Sequence, residues 1–284
     1  MRRPLWLQVL GYAGMVLVAV LVLAPIAWLG ISSISTRQEL LSVPPHWIPQ
    51  QPTLANYRNI LLPTPQTPEV ARTYRQALAN SLVVASVVTA AGVAISTLAA
   101  YSFGRMRFSG RRELLLAILA TRMLPAISIV IPLYLIAYHI GLLDTKLVLI
   151  LLYLSFTLPF STWLMTAFVR EIPRELEDAA RVDGATRFGA LWRVVLPLTL
   201  PGVVATAIFT FIMAWDEFFF ALVFTSTHAA KTVPVAISEF TGRYVVDYPA
   251  MTTGGVLGAL PPVLLALVFH RWFIRGLTAG ALKE

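Results

Sequence analysis

Three ionisable residues and one tryptophan lie where the chain is otherwise uncharged. Arg122 is the one charged residue of the apolar segment 114–138, and Asp216 and Glu217 follow Trp215 within the apolar segment 199–224. Charged side chains are costly in lipid and usually face a bundle interior or a water-filled path. The four residues therefore either line a path for a polar solute or form a structural network between helices. We expect the structural role for Arg122 and the path-lining role for Trp215.

The depths of these residues argue against a direct ion pair. At about 1.5 Å per helical residue, Arg122 lies about 12 Å and Asp216 about 25 Å from one membrane face. We therefore expect indirect coupling between Arg122 and the two carboxylates, through water or another side chain.

The sequence lacks the spacings that catalytic sites require. It contains no G-x-x-x-x-G-K-[ST] phosphate-binding loop and no H-E-x-x-H zinc-binding pair. Its four histidines are far apart and have no metal-ligand spacing, and without cysteine it can form no disulfide or thiolate site. We expect neither catalytic activity nor a cofactor or metal bound by this chain.

Composition shows which elements must position these residues. Of 284 residues 57% are hydrophobic and 13% are charged, about half the charge of a typical soluble domain. Six long stretches without Asp, Glu, Lys or Arg can each cross a bilayer core of about 30 Å. The sequence predicts an all-α polytopic membrane protein with six transmembrane helices. The expected spans are 8–31, 81–104, 114–138, 147–169, 199–224 and 252–274.

Basic residues indicate the orientation of these spans. Fourteen of the 22 Lys and Arg residues lie in the segments on the side of the two termini and seven lie on the other side. Because Lys and Arg accumulate in cytoplasmic loops, both termini are predicted to be cytoplasmic, within a single domain covering 1–284. The proline-rich segment 34–79 is then an outer loop, extended and with at most short helices. The cytoplasmic parts are a loop at 170–198 and a tail at 275–284.

The loop 170–198 has the pattern of a helical hairpin. Two pairs of opposite charge, Arg174 with Asp178 and Glu177 with Arg181, have the i,i+4 spacing that supports a helix. Gly184 lies where a helix commonly ends, and a second short helix is expected from Arg187 up to Pro197. Physics alone leaves two uses open for this amphipathic hairpin: docking a partner protein, or lying on the membrane surface.

The hairpin also carries small residues at defined spacing. Asp178-Ala179-Ala180 is followed after three residues by Gly184 and, after nine further residues, by Val194-Val195-Leu196-Pro197. This resembles the EAA loop of binding-protein-dependent ABC importer permeases, with Asp178 in place of the usual Glu. The resemblance assigns coupling to a partner ATPase to Glu177, Asp178, Ala179, Ala180, Asp183, Gly184, Ala185, Leu196 and Pro197.

The resemblance extends over nearly the whole chain. Segments similar to the carbohydrate-uptake class, specifically to the smaller permease of maltose-type systems, are Asn56-Tyr57, Asn80-Ser81, Ala100-Tyr101, Trp215-Asp216-Glu217-Phe218 and the tail 275–283. Two positions depart from that pattern: Glu284 stands where Gly is usual and His270 where Gln is commoner. The resemblance implies tail contacts with the ATPase through Gly276, Leu277, Thr278 and Gly280.

The family resemblance implies a fold, partners and a mechanism. The expected fold is that of a type I ABC importer permease, in the inner membrane of a bacterial-type cell. The expected partners are a second permease, a pair of ATPase subunits that bind ATP and Mg, an extracytoplasmic solute-binding protein and the lipid bilayer, but no nucleic acid. The solute would be a sugar or a sugar-like molecule, carried by alternating access.

Two rival functions come from different classes. An ion-gradient-driven secondary transporter would work without an ATPase, but such carriers are often built from internal repeats and none is visible here. A membrane scaffold without transport would gain nothing from Arg122, Asp216 and Glu217, which are costly in lipid.

Overall fold

A computed structural model describes residues 5–281 apart from 45, 63, 66, 68 and 243–245, with the side chains of 5–7, 9, 70 and 270–281 also outside the description. Most of the described residues are helical, and their only β-structure is an isolated bridge between Thr241 and Val246. The all-α prediction is confirmed.

Fourteen α-helices cover most of the described residues. In chain order they are α1 (Leu5–Ser33), α2 (Arg37–Leu40), α3 (Ala55–Leu61), α4 (Glu69–Arg105), α5 (Arg111–Ala120), α6 (Ala126–His139), α7 (Lys146–Glu171), α8 (Arg174–Val182), α9 (Arg187–Ala190), α10 (Leu196–Leu198), α11 (Leu200–Trp215), α12 (Phe219–Phe224), α13 (Val233–Glu239) and α14 (Tyr248–Ala281). A 3₁₀ turn, Thr121–Met123, follows α5, and a π-helical segment, Leu191–Val195, joins α9 to α10. The helix α4 begins at Glu69, so it includes the last part of the segment 34–79 that was expected to be an outer loop.

Four described helices are long and apolar enough to cross a membrane without a break: Leu10–Ser33, Ala71–Arg105, Lys146–Glu171 and Tyr248–Phe269. Two bent pairs raise the number to six if each pair crosses once. The pair Arg111–Met123 and Ala126–His139 bends by 91°, and the pair Arg187–Leu198 and Leu200–Trp215 bends by 78°.

The first bend means that the expected helix over 114–138 is not continuous, and the second lies at the start of the expected helix over 199–224. At the first bend, Leu124 is extended, with ψ 122°, because the ring of Pro125 disfavours the helical conformation in the residue before it. At the second, the helix resumes at Leu200 with Pro201 in its first turn, where a proline without an N–H is tolerated. The segment 199–224 is divided again between α11 and α12.

The chain forms two compact units, one of Met1–Arg75 with Ala236–Leu260 and one of Gln76–Val235 with Pro261–Glu284. In the first unit, the end of α1 is held by Ser33. The Ser33 carbonyl accepts hydrogen bonds from Asn56 (3.0 Å) and Thr253 (3.1 Å), and its hydroxyl lies 2.7 Å from that of Tyr57. These polar bonds join α1 to α3 and α14 in this unit.

In the second unit, α7 packs on α11 through small and polar residues. Buried Ser161 and Thr210 share a hydroxyl–hydroxyl bond of 2.9 Å, and Gly202 lies against Phe168. Lipid is as apolar as leucine, so helices in a membrane associate through such close packing and polar bonds.

The end of the second unit opposite the hairpin is held by Asn80 and Asp144. The Asn80 amide donates to the carbonyls of His228 and Lys231 and accepts from Lys146, each at 3.0 Å. Burial opposes ionisation of Asp144, yet hydrogen bonds from Thr227 and from the Ser226 N–H hold the pKa of this carboxyl below its usual value.

Candidate functional site

The predicted hairpin at 170–198 is present in the structure and turns at Gly184. The helix α8 ends in a paired carbonyl-capping motif, in which Gly184 N–H donates to Arg181 (3.1 Å) and Ala185 N–H donates to Ala180 (3.0 Å). This motif places Gly184 at φ +89°, a left-handed conformation that costs other residues free energy. The next helix, α9, is capped by the Thr186 hydroxyl, which accepts from Gly189 N–H.

The second arm of the hairpin is longer than expected. It continues through the π-helical segment and α10 to Leu198, so Pro197 does not end it. Proline cannot donate to the carbonyl four residues before it, and a wider turn with i,i+5 bonds, such as Leu196 N–H to Leu191 O, accommodates this loss.

One face of the hairpin is locked onto α4 through Glu177. The Glu177 carboxylate lies 3.3 Å from Arg105 Nε and accepts a hydrogen bond from the Tyr101 hydroxyl. Arg105 also donates to the Ile172 carbonyl at 2.7 Å. The side chains of Arg105 and Glu177 are only 6% and 11% exposed. A buried pair with these extra hydrogen bonds fixes α8 relative to the end of α4.

An apolar cluster reinforces this attachment. Its buried members from α4, α7 and the hairpin are Ala100, Tyr101, Met165, Val169, Ile172, Leu191 and Val195. The hairpin is therefore packed against two long helices, α4 and α7.

The opposite face of the hairpin is open to solvent. The coupling residues predicted from the sequence divide by burial: Asp178, Ala179, Asp183, Gly184 and Pro197 are exposed, Ala180, Ala185 and Leu196 are half-buried, and Glu177 is buried. Glu177 therefore occupies an anchoring position rather than one on the open face.

Apolar side chains on the open face were not singled out in the sequence. Val182 is 87% and Phe188 61% exposed, and Phe188 packs edge-on against Trp192 with ring centroids 5.9 Å apart. Exposed apolar groups beside charged ones are typical of a protein-docking surface.

The ion pairs of α8 differ from the spacing-based expectation. Asp178 pairs with Arg181 at 3.7 Å, an i,i+3 contact, rather than with Arg174. Glu177 pairs with Arg105 rather than with Arg181. The helix was predicted correctly, but burial of Glu177 turned its carboxylate toward α4.

The structure brings Arg122 and Glu217 to one cavity. The cavity has a volume of about 150 Å³ and is also lined by Tyr153, Thr157 and Phe220. Within the part of the chain that the structure describes, no ion pair joins Arg122 to a carboxylate. Arg122 lies in the 3₁₀ turn at the bend between α5 and α6.

The two acidic residues after Trp215 lie at the break between α11 and α12. Glu217 accepts from the backbone N–H groups of Phe220 (2.9 Å) and Ala221 (3.2 Å), so its carboxylate caps the first turn of α12. Asp216 is exposed and is not among the cavity-lining residues. Glu217 thus stabilises the start of α12, and its role in a translocation path stays a prediction.

Trp215 is placed differently from the expectation. Its surface is 2% exposed, and its ring stacks on Phe211 with centroids 5.6 Å apart and an interplanar angle of 17°. A ring enclosed in this way has no free face for a sugar. The path-lining interpretation of Trp215 is therefore corrected to a packing role.

Replacing Trp215 with alanine is expected to destabilise the protein without changing which solute it carries. Deleting this buried ring should cost about 3 kcal/mol, toward the lower end for a buried tryptophan because lipid is as apolar as the core. The matched control is Trp163→Ala, since Trp163 is 44% exposed. Thermal unfolding of the purified protein should separate the two variants, and equal unfolding temperatures would contradict the packing role.

The four tail residues Gly276, Leu277, Thr278 and Gly280 lie in the last turns of α14, where side chains are outside the described residues. Their contacts stay a prediction.

Comparison with known proteins identifies the family. Residues 75–279 match the family described as binding-protein-dependent transport system inner membrane component. The chain belongs to this family. It is a permease, a transport component whose ATPase is a separate subunit.

Related sequences cover nearly all of the permease. The sulfoquinovosyl glycerol transport system permease protein SmoH of Agrobacterium fabrum is 38% identical over 92% of this chain and 89% of its own. The trehalose/maltose transport system permease protein MalG of Thermococcus litoralis is 36% identical over 100% and 99%.

A solved structure shares the fold. A chain from a bacterial ABC transporter involved in the import of the acidic polysaccharide alginate has a TM-score of 0.80 at 20% identity, with 96% of this chain and 99% of that chain covered. The fold is that of an ABC importer membrane subunit, as the resemblance implied.

Proposed function

We propose that this permease translocates a sugar or sugar-like solute and is driven by ATP hydrolysis on a separate subunit. Relatives named for sulfoquinovosyl glycerol, trehalose and maltose support a sugar as the solute class. The partners would be a second permease, paired ATPase subunits that bind ATP and Mg, and an extracytoplasmic protein that delivers the solute.

The hairpin is the observation that carries this proposal. Its open face holds Asp178, Ala179, Asp183 and Gly184 beside exposed Val182, while its other face is fixed to α4 through Glu177. A partner bound to the open face can thus move α4 and α7 as it changes shape. This arrangement favours partner docking over a hairpin resting on the membrane surface.

A substitution at the turn tests the docking role. Gly184→Val should cost about 1–2 kcal/mol locally because a β-branched residue resists φ +89°. We expect normal membrane insertion with a loss of ATPase association or of solute-stimulated hydrolysis. Gly184→Asn is the control, since asparagine adopts left-handed conformations more readily. Full coupling in the valine variant would show that the turn is not the mechanical joint.

The proposed orientation places both termini and the hairpin in the cytoplasm. Reporter domains fused after Arg187 and after Asn56 should report opposite compartments, because fourteen basic residues lie on the side of the termini against seven on the other. Both reporters in one compartment would contradict the six-span topology.

A further inference from the structure

The ends of three membrane helices meet in a cleft rich in arginine. A depression of about 370 Å³ is lined by Arg105 at the end of α4, Arg111 at the start of α5, Arg170 in the last turn of α7 and Arg174 at the start of α8. We call it, together with the adjoining depression of about 400 Å³ that shares Arg105 and Arg174, the arginine cleft. Because α4 and α7 are spans that end here, the cleft lies at the membrane surface.

Part of the positive charge in the arginine cleft is uncompensated. Arg105 is paired with Glu177 and Arg181 with Asp178, while Arg111 and Arg170 donate to the carbonyls of Met106 and Phe103. In the described part of the chain, the side chains of Arg107, Arg174 and Arg187, which line the larger depression, make no ion pair or hydrogen bond. Two carboxylates, Glu171 and Glu175, also line the smaller depression, and Glu177 and Asp178 are already paired with Arg105 and Arg181.

An apolar side chain lines the cleft, and others are exposed in the helix that follows it. Phe108 lies between Arg107 and Arg111, and in α5 the side chains of Leu114 and Leu116 are exposed. Cationic donors that can bind a head group, followed along the chain by exposed apolar side chains that can contact an acyl chain, match the two parts of a phospholipid.

We propose that the arginine cleft binds the phosphate of an anionic phospholipid, with Arg107 and Arg174 as its principal contacts. Arg107 belongs to the α4–α5 connection and Arg174 to the first turn of α8, so one phosphate between them joins the hairpin to that connection. The bound lipid supports the position of the hairpin. The proposal depends on the membrane location of the protein and not on which solute it carries.

Lipid titration of the purified transporter complex in a neutral detergent tests the proposal. The probes are dioleoyl phosphatidylglycerol, dioleoyl phosphatidylcholine and inorganic phosphate, and the readouts are lipid retained in native mass spectrometry and the unfolding temperature. The test variant is Arg107→Gln with Arg174→Gln. The control is Arg112→Gln with Arg193→Gln, which removes the same charge from exposed arginines that do not line the cleft.

Phosphatidylglycerol should raise the unfolding temperature of the wild type, and phosphatidylcholine and millimolar phosphate should not. Loss of each contacting arginine should weaken lipid binding about fivefold. The double variant should therefore need about 25-fold more lipid for the same stabilisation, and the control variant should need a concentration within about twofold of that for the wild type. If the double variant does not assemble, each single variant should show its fivefold loss. Equal weakening in test and control variants, or full stabilisation by free phosphate or phosphatidylcholine, would overturn the proposal.

Discussion

Replacing Glu177 with alanine should cost about 3–5 kcal/mol and detach the hairpin from α4. The change leaves Arg105 without its carboxylate and the Tyr101 hydroxyl without its acceptor, and truncating one member of a buried pair has a cost of this size. We expect a lower unfolding temperature and loss of solute-stimulated ATP hydrolysis in the assembled complex.

The neighbouring residue provides a matched control. Asp178 pairs with Arg181 on the open face, where the side chains are 46% and 68% exposed for Arg181 and Asp178, and such a pair is worth about 0–0.5 kcal/mol. Asp178→Ala should keep the wild-type unfolding temperature and still lower ATPase coupling. Should both variants lose the same stability, the division of the hairpin into an anchored and a docking face would be wrong.

Gly202→Ala is also expected to impair folding, by a somewhat smaller amount. A β-carbon at Gly202 would lie 2.8 Å from Phe168 Cβ and even closer to its ring. Because Phe168 Cβ is attached to the backbone of α7, rotating the ring does not relieve the clash, and α7 and α11 must separate. Overpacking of this kind costs about 1–3 kcal/mol, more than the helical preference for alanine over glycine returns.

Gly14→Ala supplies the comparison for this substitution. No atom lies within 4 Å of a β-carbon built at Gly14 in α1. We expect unchanged or slightly higher stability for Gly14→Ala and less folded protein for Gly202→Ala, measured by the yield of monodisperse protein and its unfolding temperature. Equal yields for the two variants would exclude close packing at Gly202.

Local patterns in the sequence predicted much of the helical architecture. The uncharged stretches marked the long helices, and Gly184 marked the hairpin turn because a helix often ends with glycine in a left-handed conformation. The effect of proline was harder to foresee. Pro132 lies inside the continuous α6, whereas α6 begins only after Pro125. Neighbouring helices decide which proline interrupts a helix, and one sequence does not contain that information.

Contacts between distant residues were missed for a related reason. Glu177 and Arg105 are 72 positions apart, and the spacing of Glu177 from Arg181 suggested a local pair instead. The environment of Trp215 was missed in the same way. Its position before two acidic residues suggested polar surroundings, but its ring packs on Phe211. Side-chain direction depends on which helices pack together.

ATP-dependent uptake by a reconstituted complex tests the central claim most directly. The permease, purified with its associated subunits and inserted into liposomes with ATP on the hairpin side, is supplied with its binding protein and radiolabelled trehalose, maltose or a sulfoquinovosyl glycoside. We predict uptake of at least one sugar that requires ATP and the binding protein and is lost in Gly184→Val. Uptake by this chain alone, driven by an ion gradient without an ATPase, would contradict the account.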